Sequence, residues 1–133
     1  KIVANAAQAL GIAVKTNGTY VCTEGPRFET PAEIKMFRHI GGDLVGMTSV
    51  PEVVLAREAA ICYCTVAMVT NFAAGISPAP LTHAEVIETM NLNNEKLRKL
   101  IMRSIEILPD ERECSCHNAM DELGSLGQGK LLS

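Results

Sequence analysis

Residues 61–70 read Ile-Cys-Tyr-Cys-Thr-Val-Ala-Met-Val-Thr, a nearly continuous apolar run rich in β-branched side chains. Such a run has no polar face to offer water, so it fits a central strand covered on both sides. A chain organised around such a strand needs helices to cover it, and the sequence marks where they start. Thr30-Pro31-Ala32-Glu33 combines an N-cap threonine, proline at the first helical position and glutamate three residues after the cap. Together these satisfy backbone donors that a helix start leaves exposed. Ser49 to Glu52, with Pro51 inside it, and Thr82-His83-Ala84-Glu85 repeat the pattern. Strands alternating with helices predict an α/β fold, a mixed central sheet flanked by helices, with ligands at strand ends.

The remaining segments fit that plan. Ile2, Val3, Ala6, Ala7 and Leu10 follow a helical period, and Gly11 suits the residue just past the helix end. Ile12 to Val14 and Gly18 to Thr23 are β-rich, and Asn17-Gly18 predicts a tight hairpin turn between them. Ile34, Phe37 and Ile40 stripe the helix opened by Thr30, which Gly41-Gly42 stops. Asp43 to Met47 returns to extended structure, and the Ser49 helix runs to about Ala60. After Asn71 comes a Ser77-Pro78-Ala79-Pro80 loop. The helix opened by Thr82 places Val86, Met90, Leu97, Ile101 and Ile105 on or near one face and ends before Pro109. Residues 110–123 suggest one more short helix, and the Gly- and Ser-rich 124–133 segment a flexible tail. Residues 1–123 are thus expected to form one domain portion.

With 12 basic against 15 acidic residues and a net charge of −3, the 133-residue chain offers no electrostatic footprint for nucleic acid or an anionic membrane. No apolar run reaches the length of a membrane span, and no signal-peptide pattern is present. Lys1 opens the chain without a methionine, inside a helical pattern, so a longer polypeptide is expected. An odd number of cysteines, five, with no secretory signal favours the cytoplasm.

Chemistry concentrates in the turns that follow strands. Arg27, Phe28 and Glu29 follow the first β-rich segment, Met47 and Thr48 the next, and Asn71 the apolar run. If these strands are neighbours, their loops converge: a flat heterocycle would stack on Phe28 and meet Glu29 and Asn71 with its polar edge. Met47 and Thr48 would border a sugar or an anion. Ordinary core packing also accounts for Phe28 and Met47, and the helix macrodipole also accounts for Glu29. Arg27 suits either a phosphate or an ion pair with a nearby carboxylate.

The segments Glu24-Gly-Pro-Arg-Phe-Glu-Thr-Pro-Ala-Glu33, Gly46-Met-Thr-Ser-Val-Pro-Glu52 and Val69-Thr-Asn-Phe-Ala-Ala-Gly-Ile76 resemble, in order and spacing, the trimeric purine nucleoside and methylthioadenosine phosphorylases. The resemblance runs to about Leu108, and the chain looks like the C-terminal half of such a domain. It implies phosphate-dependent cleavage of the N-glycosidic bond of purine nucleosides, with inorganic phosphate as cosubstrate and no cofactor or metal. It also implies a homotrimer or a multiple of it, and an N-terminal half that supplies most phosphate ligands. By position, Phe28 resembles the residue that packs on the purine and Glu29 the carboxylate that accepts from N1–H of 6-oxopurines. Met47 resembles a ribose contact, Thr48 a residue beside phosphate and the ribose hydroxyls, and His83 a histidine near the 5′ end. A helix-start histidine with no ligand is the alternative for His83.

Asn71 bears on substrate choice. The departing purine accumulates negative charge reaching N7 and O6, and a donor there stabilises it. An asparagine amide donates without losing a proton, whereas family members acting on 6-aminopurines typically carry aspartate at this position. The resemblance therefore favours 6-oxopurine nucleosides, with Asn71 as the catalytic residue. Methylthioinosine or methylthioadenosine remains the alternative substrate, and a non-catalytic half chain needing a separate N-terminal chain is a second alternative.

The cysteines are expected in two settings. Cys62 and Cys64 alternate within the apolar run and suit buried, apolar packing. Cys114-Ser115-Cys116-His117 lacks an evident fourth zinc ligand. A Cys114–Cys116 disulfide resembles those of some thermophilic members of the family, and two free thiols remain the simpler reading.

Overall fold

A computed structural model describes residues 1–77 and 82–121, so Pro78 to Leu81 and residues 122–133, with the tail expected at 124–133, lie outside it. The described chain is α/β: helices α1 (Ile2–Ala9), α2 (Pro31–His39), α3 (Ser49–Glu58) and α4 (His83–Glu106), strands β1 (Tyr20–Cys22) and β2 (Leu44–Gly46), and a 3-10 turn at Ser115–Asn118. It divides into two units. Lys1–Met47 with Ala67–Asp110 form the first, and Thr48–Val66 with the described residues from Glu111 on form the second.

In the first unit α1 packs on α4. Ala6, Ala7 and Leu100 are buried, and Val3, Ile12 and Ile107 close around them. Two alanines let the helices approach closely. Gly11, at φ +65°, ends α1 as expected, and Ile12 N–H reaches back to the Ala7 carbonyl at 2.9 Å. Ile12 thereby belongs to the helix cap.

The expected hairpin at Asn17-Gly18 does not form. β1 pairs instead with β2, in parallel, Tyr20 opposite Leu44 and Cys22 opposite Gly46. The reason lies 24 positions away in sequence: Thr19 N–H donates to the Asp43 carboxylate at 2.8 Å, and Lys15 pairs with the same carboxylate at 3.6 Å. The 15–19 segment is thus fastened to the start of β2. A parallel pair needs a crossover, and α2 provides it.

α2 opens as predicted. Thr30 accepts from Glu33 N–H at 3.3 Å while the Glu33 carboxylate takes Thr30 N–H at 2.7 Å. Ile34 is buried and Phe37 half-buried, but Ile40, the C-cap, is 67% exposed. Gly41, at φ +88°, ends the helix.

The stripe of α4 that turns from water, buried at Leu100 and half-buried along the rest, is displaced from the expected one. It passes through Val86, Thr89, Asn93, Leu97, Leu100 and Ser104, leaving Met90, Ile101 and Ile105 exposed. Polar residues are tolerated there because each has a carbonyl partner: Thr89 Oγ1 donates to Thr70, Asn93 Nδ2 to Thr89 and Ser104 Oγ to Leu100. Hydropathy alone misses such positions.

Residues 61–70 are not paired in a ladder, and Ile61 and Val69 are 58% and 63% exposed. β-branched residues favour an extended backbone, but a ladder requires a neighbouring strand, and none pairs with this run among the described residues. Cys62 and Cys64 are accordingly exposed and not buried.

In the second unit the Ser49 box is not made. Thr48 is the N-cap and Ser49 the first helical residue, and Thr48 makes no side-chain capping bond. Pro51 still fits, because the first turn has no intrahelical use for its missing N–H. α3 stops at Ala60, a non-glycine residue at φ +55°, with Ile61 N–H bonding to the Ala56 carbonyl at 2.8 Å. The helix expected at 110–123 appears, among its described residues, as the Ser115–Asn118 3-10 turn. No helix of the described residues is long and apolar enough to cross a membrane.

Candidate functional site

β1 and β2 run parallel and end side by side, so the turns beyond Cys22 and Gly46 leave the sheet at one edge. Thr23 N–H continues the ladder to the Gly46 carbonyl at 2.8 Å. The chain then passes through Gly25-Pro26, joined by a cis peptide bond, to Phe28, Glu29 and the start of α2.

Gly25 has a steric role here. A Cβ on it would lie 2.9 Å from Met47 Sδ, so Met47 seats directly against the turn. The next turn meets the same place: a Cβ on Gly75, at φ +77°, would lie 2.7 Å from Pro31 Cβ. The Asn71–Ile76 turn therefore lies against the N-terminus of α2, two residues from Glu29. Thr89 on α4 holds its other end through the Thr70 carbonyl at 3.3 Å.

Glu29 is 9% exposed and stands as the buried charged side chain among the described residues. Its Oε1 accepts from the Thr23 hydroxyl at 2.7 Å. Oε2 takes no hydrogen bond among the described residues and remains available to a donor. Phe28 is 38% exposed, and His83, the first residue of α4, lays its ring against it at 5.3 Å between centroids and 43° between planes. Asn71 is half-buried. Its oxygen accepts from Thr70 Oγ1 at 2.6 Å, and its Nδ2 donates to the Phe72 carbonyl at 2.9 Å, leaving the second N–H of the amide for another acceptor.

The first unit thus brings together the turns that carry Phe28, Glu29, Met47, Asn71 and His83. Thr48 follows Met47 in sequence, is exposed and begins the second unit. Arg27 is committed to an ion pair. Its guanidinium donates to both Glu33 oxygens, at 2.8 and 2.7 Å. That pairing, with the bonds from Thr30, lowers the Glu33 carboxyl to about 2. Thr23 was not legible as a site residue: it lies six positions before Glu29, and no periodicity or motif joins them.

The cysteine cluster also differs from expectation. Cys62, Cys114 and Cys116 gather in the second unit with their sulfurs within 4.8 Å of one another, and His117 is not among them. Cys62 and Cys114 approach to 3.1 Å. The hydrogen bond between the Cys62 and Cys114 sulfurs holds the Cys114 thiol down at about 7 and pushes Cys62 up to about 11. The described cysteines are free thiols.

A buried carboxylate, an aromatic face, an amide and an imidazole around the ends of parallel strands suit a planar, hydrogen-bonding ligand. Comparison with known proteins bears on which. The model of the phosphorylase superfamily matches residues 1–106. The chain is 61% identical over 118 residues to a probable 6-oxopurine nucleoside phosphorylase of Dictyoglomus turgidum, covering 89% of this chain and 44% of that protein. It is 53% identical over 114 residues to a probable S-methyl-5′-thioinosine phosphorylase of Thermodesulfovibrio yellowstonii, covering 86% of this chain and 43% of the relative. Its structure superposes on methylthioadenosine phosphorylase from Schistosoma mansoni in complex with adenine, with a TM-score of 0.81 and 28% identity, over 98% of this chain and 52% of that one. The chain therefore spans about half the length of the proteins it matches.

Proposed function

The chain belongs to the phosphorylase superfamily, and from that premise we propose that it is the base-binding, C-terminal portion of a 6-oxopurine nucleoside phosphorylase. The observation that carries this reading is Glu29. A buried carboxylate with one oxygen held by Thr23 and the other unbonded among the described residues is an acceptor, and N1 of hypoxanthine or guanine carries the proton to match it. N1 of adenine carries none and would be repelled.

In the proposed reaction phosphate attacks ribose C1′ as the bond to N9 breaks, and the purine leaves with the bonding electrons. Phe28 holds the ring face. Asn71 donates its remaining N–H toward N7 or O6, where the charge collects, and such a donor is worth most in a site that excludes water. Met47 borders the ribose, Thr48 the phosphate and ribose hydroxyls, and His83 the 5′ position. Relatives about twice this length fit a protein whose remaining residues supply further phosphate ligands. A cytoplasmic homotrimer, or a multiple of it, completes the reading.

Methylthioinosine is the second reading. It shares the 6-oxopurine, the Thermodesulfovibrio relative carries that name, and the imidazole of His83 in ring contact with Phe28 offers a neighbour for a methylthio group. The test is phosphate-dependent release of hypoxanthine from inosine and methylthioinosine against adenine from methylthioadenosine, using the full-length polypeptide that carries this sequence. Preference for the adenine nucleoside would overturn the Glu29 argument.

A further inference from the structure

We propose that Thr23 is a positioning residue for base selection, holding Glu29 so that one carboxylate oxygen faces the purine. The inference rests on the 6-oxopurine reading of the site. Thr23 ends β1, and its backbone N–H is bonded to the Gly46 carbonyl at 2.8 Å, so its Cα cannot drift from the sheet edge. Its hydroxyl has one proton and two acceptors in range, Glu29 Oε1 at 2.7 Å and the Gly46 carbonyl at 3.4 Å. The shorter, charge-assisted bond takes the proton.

The consequence is directional. A glutamate has free torsions along its side chain, and burial alone does not choose among them. With Oε1 held at the sheet edge, Oε2 is directed elsewhere and keeps its lone pairs for a donor. Thr23 is also the only donor to that carboxylate among the described residues. Arg27, two residues from Glu29, bonds to Glu33 and does not substitute. Selection of a base with N1–H over one without it thus depends on a hydroxyl that never touches the base.

The experiment compares Thr23→Val and Thr23→Ser in the full-length polypeptide that carries this sequence. Thr23→Val keeps the shape and removes the donor, and Thr23→Ser keeps the donor. For Thr23→Val the expected result is a roughly tenfold fall in kcat/KM for inosine, the scale set by one lost hydrogen bond to a charged group. The ratio of hypoxanthine to adenine affinity falls with it, and Thr23→Ser restores both. In a Glu29→Ala background the same change has little further effect, because the group it positions is gone. A merely structural role would lower the melting temperature and weaken both bases alike. That result, or an unchanged hypoxanthine to adenine ratio in Thr23→Val, overturns the proposal. Should Thr23→Val fail to fold, Thr23→Ala and Thr23→Ser carry the same comparison. A wild-type protein inactive on every purine nucleoside overturns the 6-oxopurine reading, and this inference with it. Wild-type activity on inosine with an insensitive Thr23 overturns this inference alone.

Discussion

Replacing Glu29 by glutamine should invert base preference and not merely weaken it. The Thr23 hydroxyl donates to Oε1 at 2.7 Å, so an amide in that place turns its oxygen toward Thr23 and its NH2 toward the ligand. The group facing the purine then changes from acceptor to donor. For a 6-oxopurine the charge-assisted bond to N1–H is lost, about 2 kcal/mol, and two donors face each other at a side chain that is 9% exposed, about 1–2 kcal/mol more. The sum, about 3–4 kcal/mol, corresponds to a fall of several hundredfold in kcat/KM for inosine. Adenine has a bare acceptor at N1, so the amide suits it, and adenosine should be cleaved at least as well as before. Steady-state phosphorolysis of both nucleosides, followed by base release, measures the two ratios. Equal losses on inosine and adenosine would refute the reasoning, because they would show that Glu29 supports the turn and does not read the base.

Other outcomes follow from the same geometry. Asn71→Asp should shift activity toward aminopurine nucleosides, since a protonated carboxyl donates to N7 while its other oxygen accepts from the amino group. An unaltered ratio of adenine to hypoxanthine release would assign the 6-position to another side chain. Ala60→Gly should stabilise the protein by up to about 1 kcal/mol in urea denaturation, because α3 ends on an alanine held at φ +55°, and a loss of stability would contradict it. Alkylation of Cys114 should accelerate as pH rises through about 7, where its thiol becomes thiolate, while Cys62, raised to about 11, stays protonated and slow. Site-resolved mass spectrometry after timed iodoacetamide treatment distinguishes them, and equal rates would contradict the hydrogen-bonded pairing.

Much of the local structure was legible because its causes are local. The Thr30-x-x-Glu33 box, the glycines ending α1 and α2, and the Thr82 start of α4 depend on residues within one turn of one another. The turn bearing Phe28 and Glu29 and its place after a strand were legible for the same reason. What failed depended on neighbours. The Asn17-Gly18 hairpin lost to the Asp43 carboxylate, which fastens Thr19 and Lys15 to the start of β2. The α4 stripe moved onto Thr89, Asn93 and Ser104 because backbone carbonyls were available to them. The thiol cluster joined Cys62 to Cys114, 52 positions apart.

The sequence by itself determined an α/β chain, its helix starts, and residue types that suit a planar, hydrogen-bonding ligand at strand ends. Only the tertiary structure decided that Met47 seats on Gly25, that the Asn71 turn meets Pro31, that His83 covers Phe28 and that Thr23 holds Glu29. Periodicity and capping are properties of a few consecutive residues, whereas a binding site is made where separate strand ends meet. Which hydroxyl lies within 2.7 Å of a carboxylate is settled by packing, and packing is set by the whole unit.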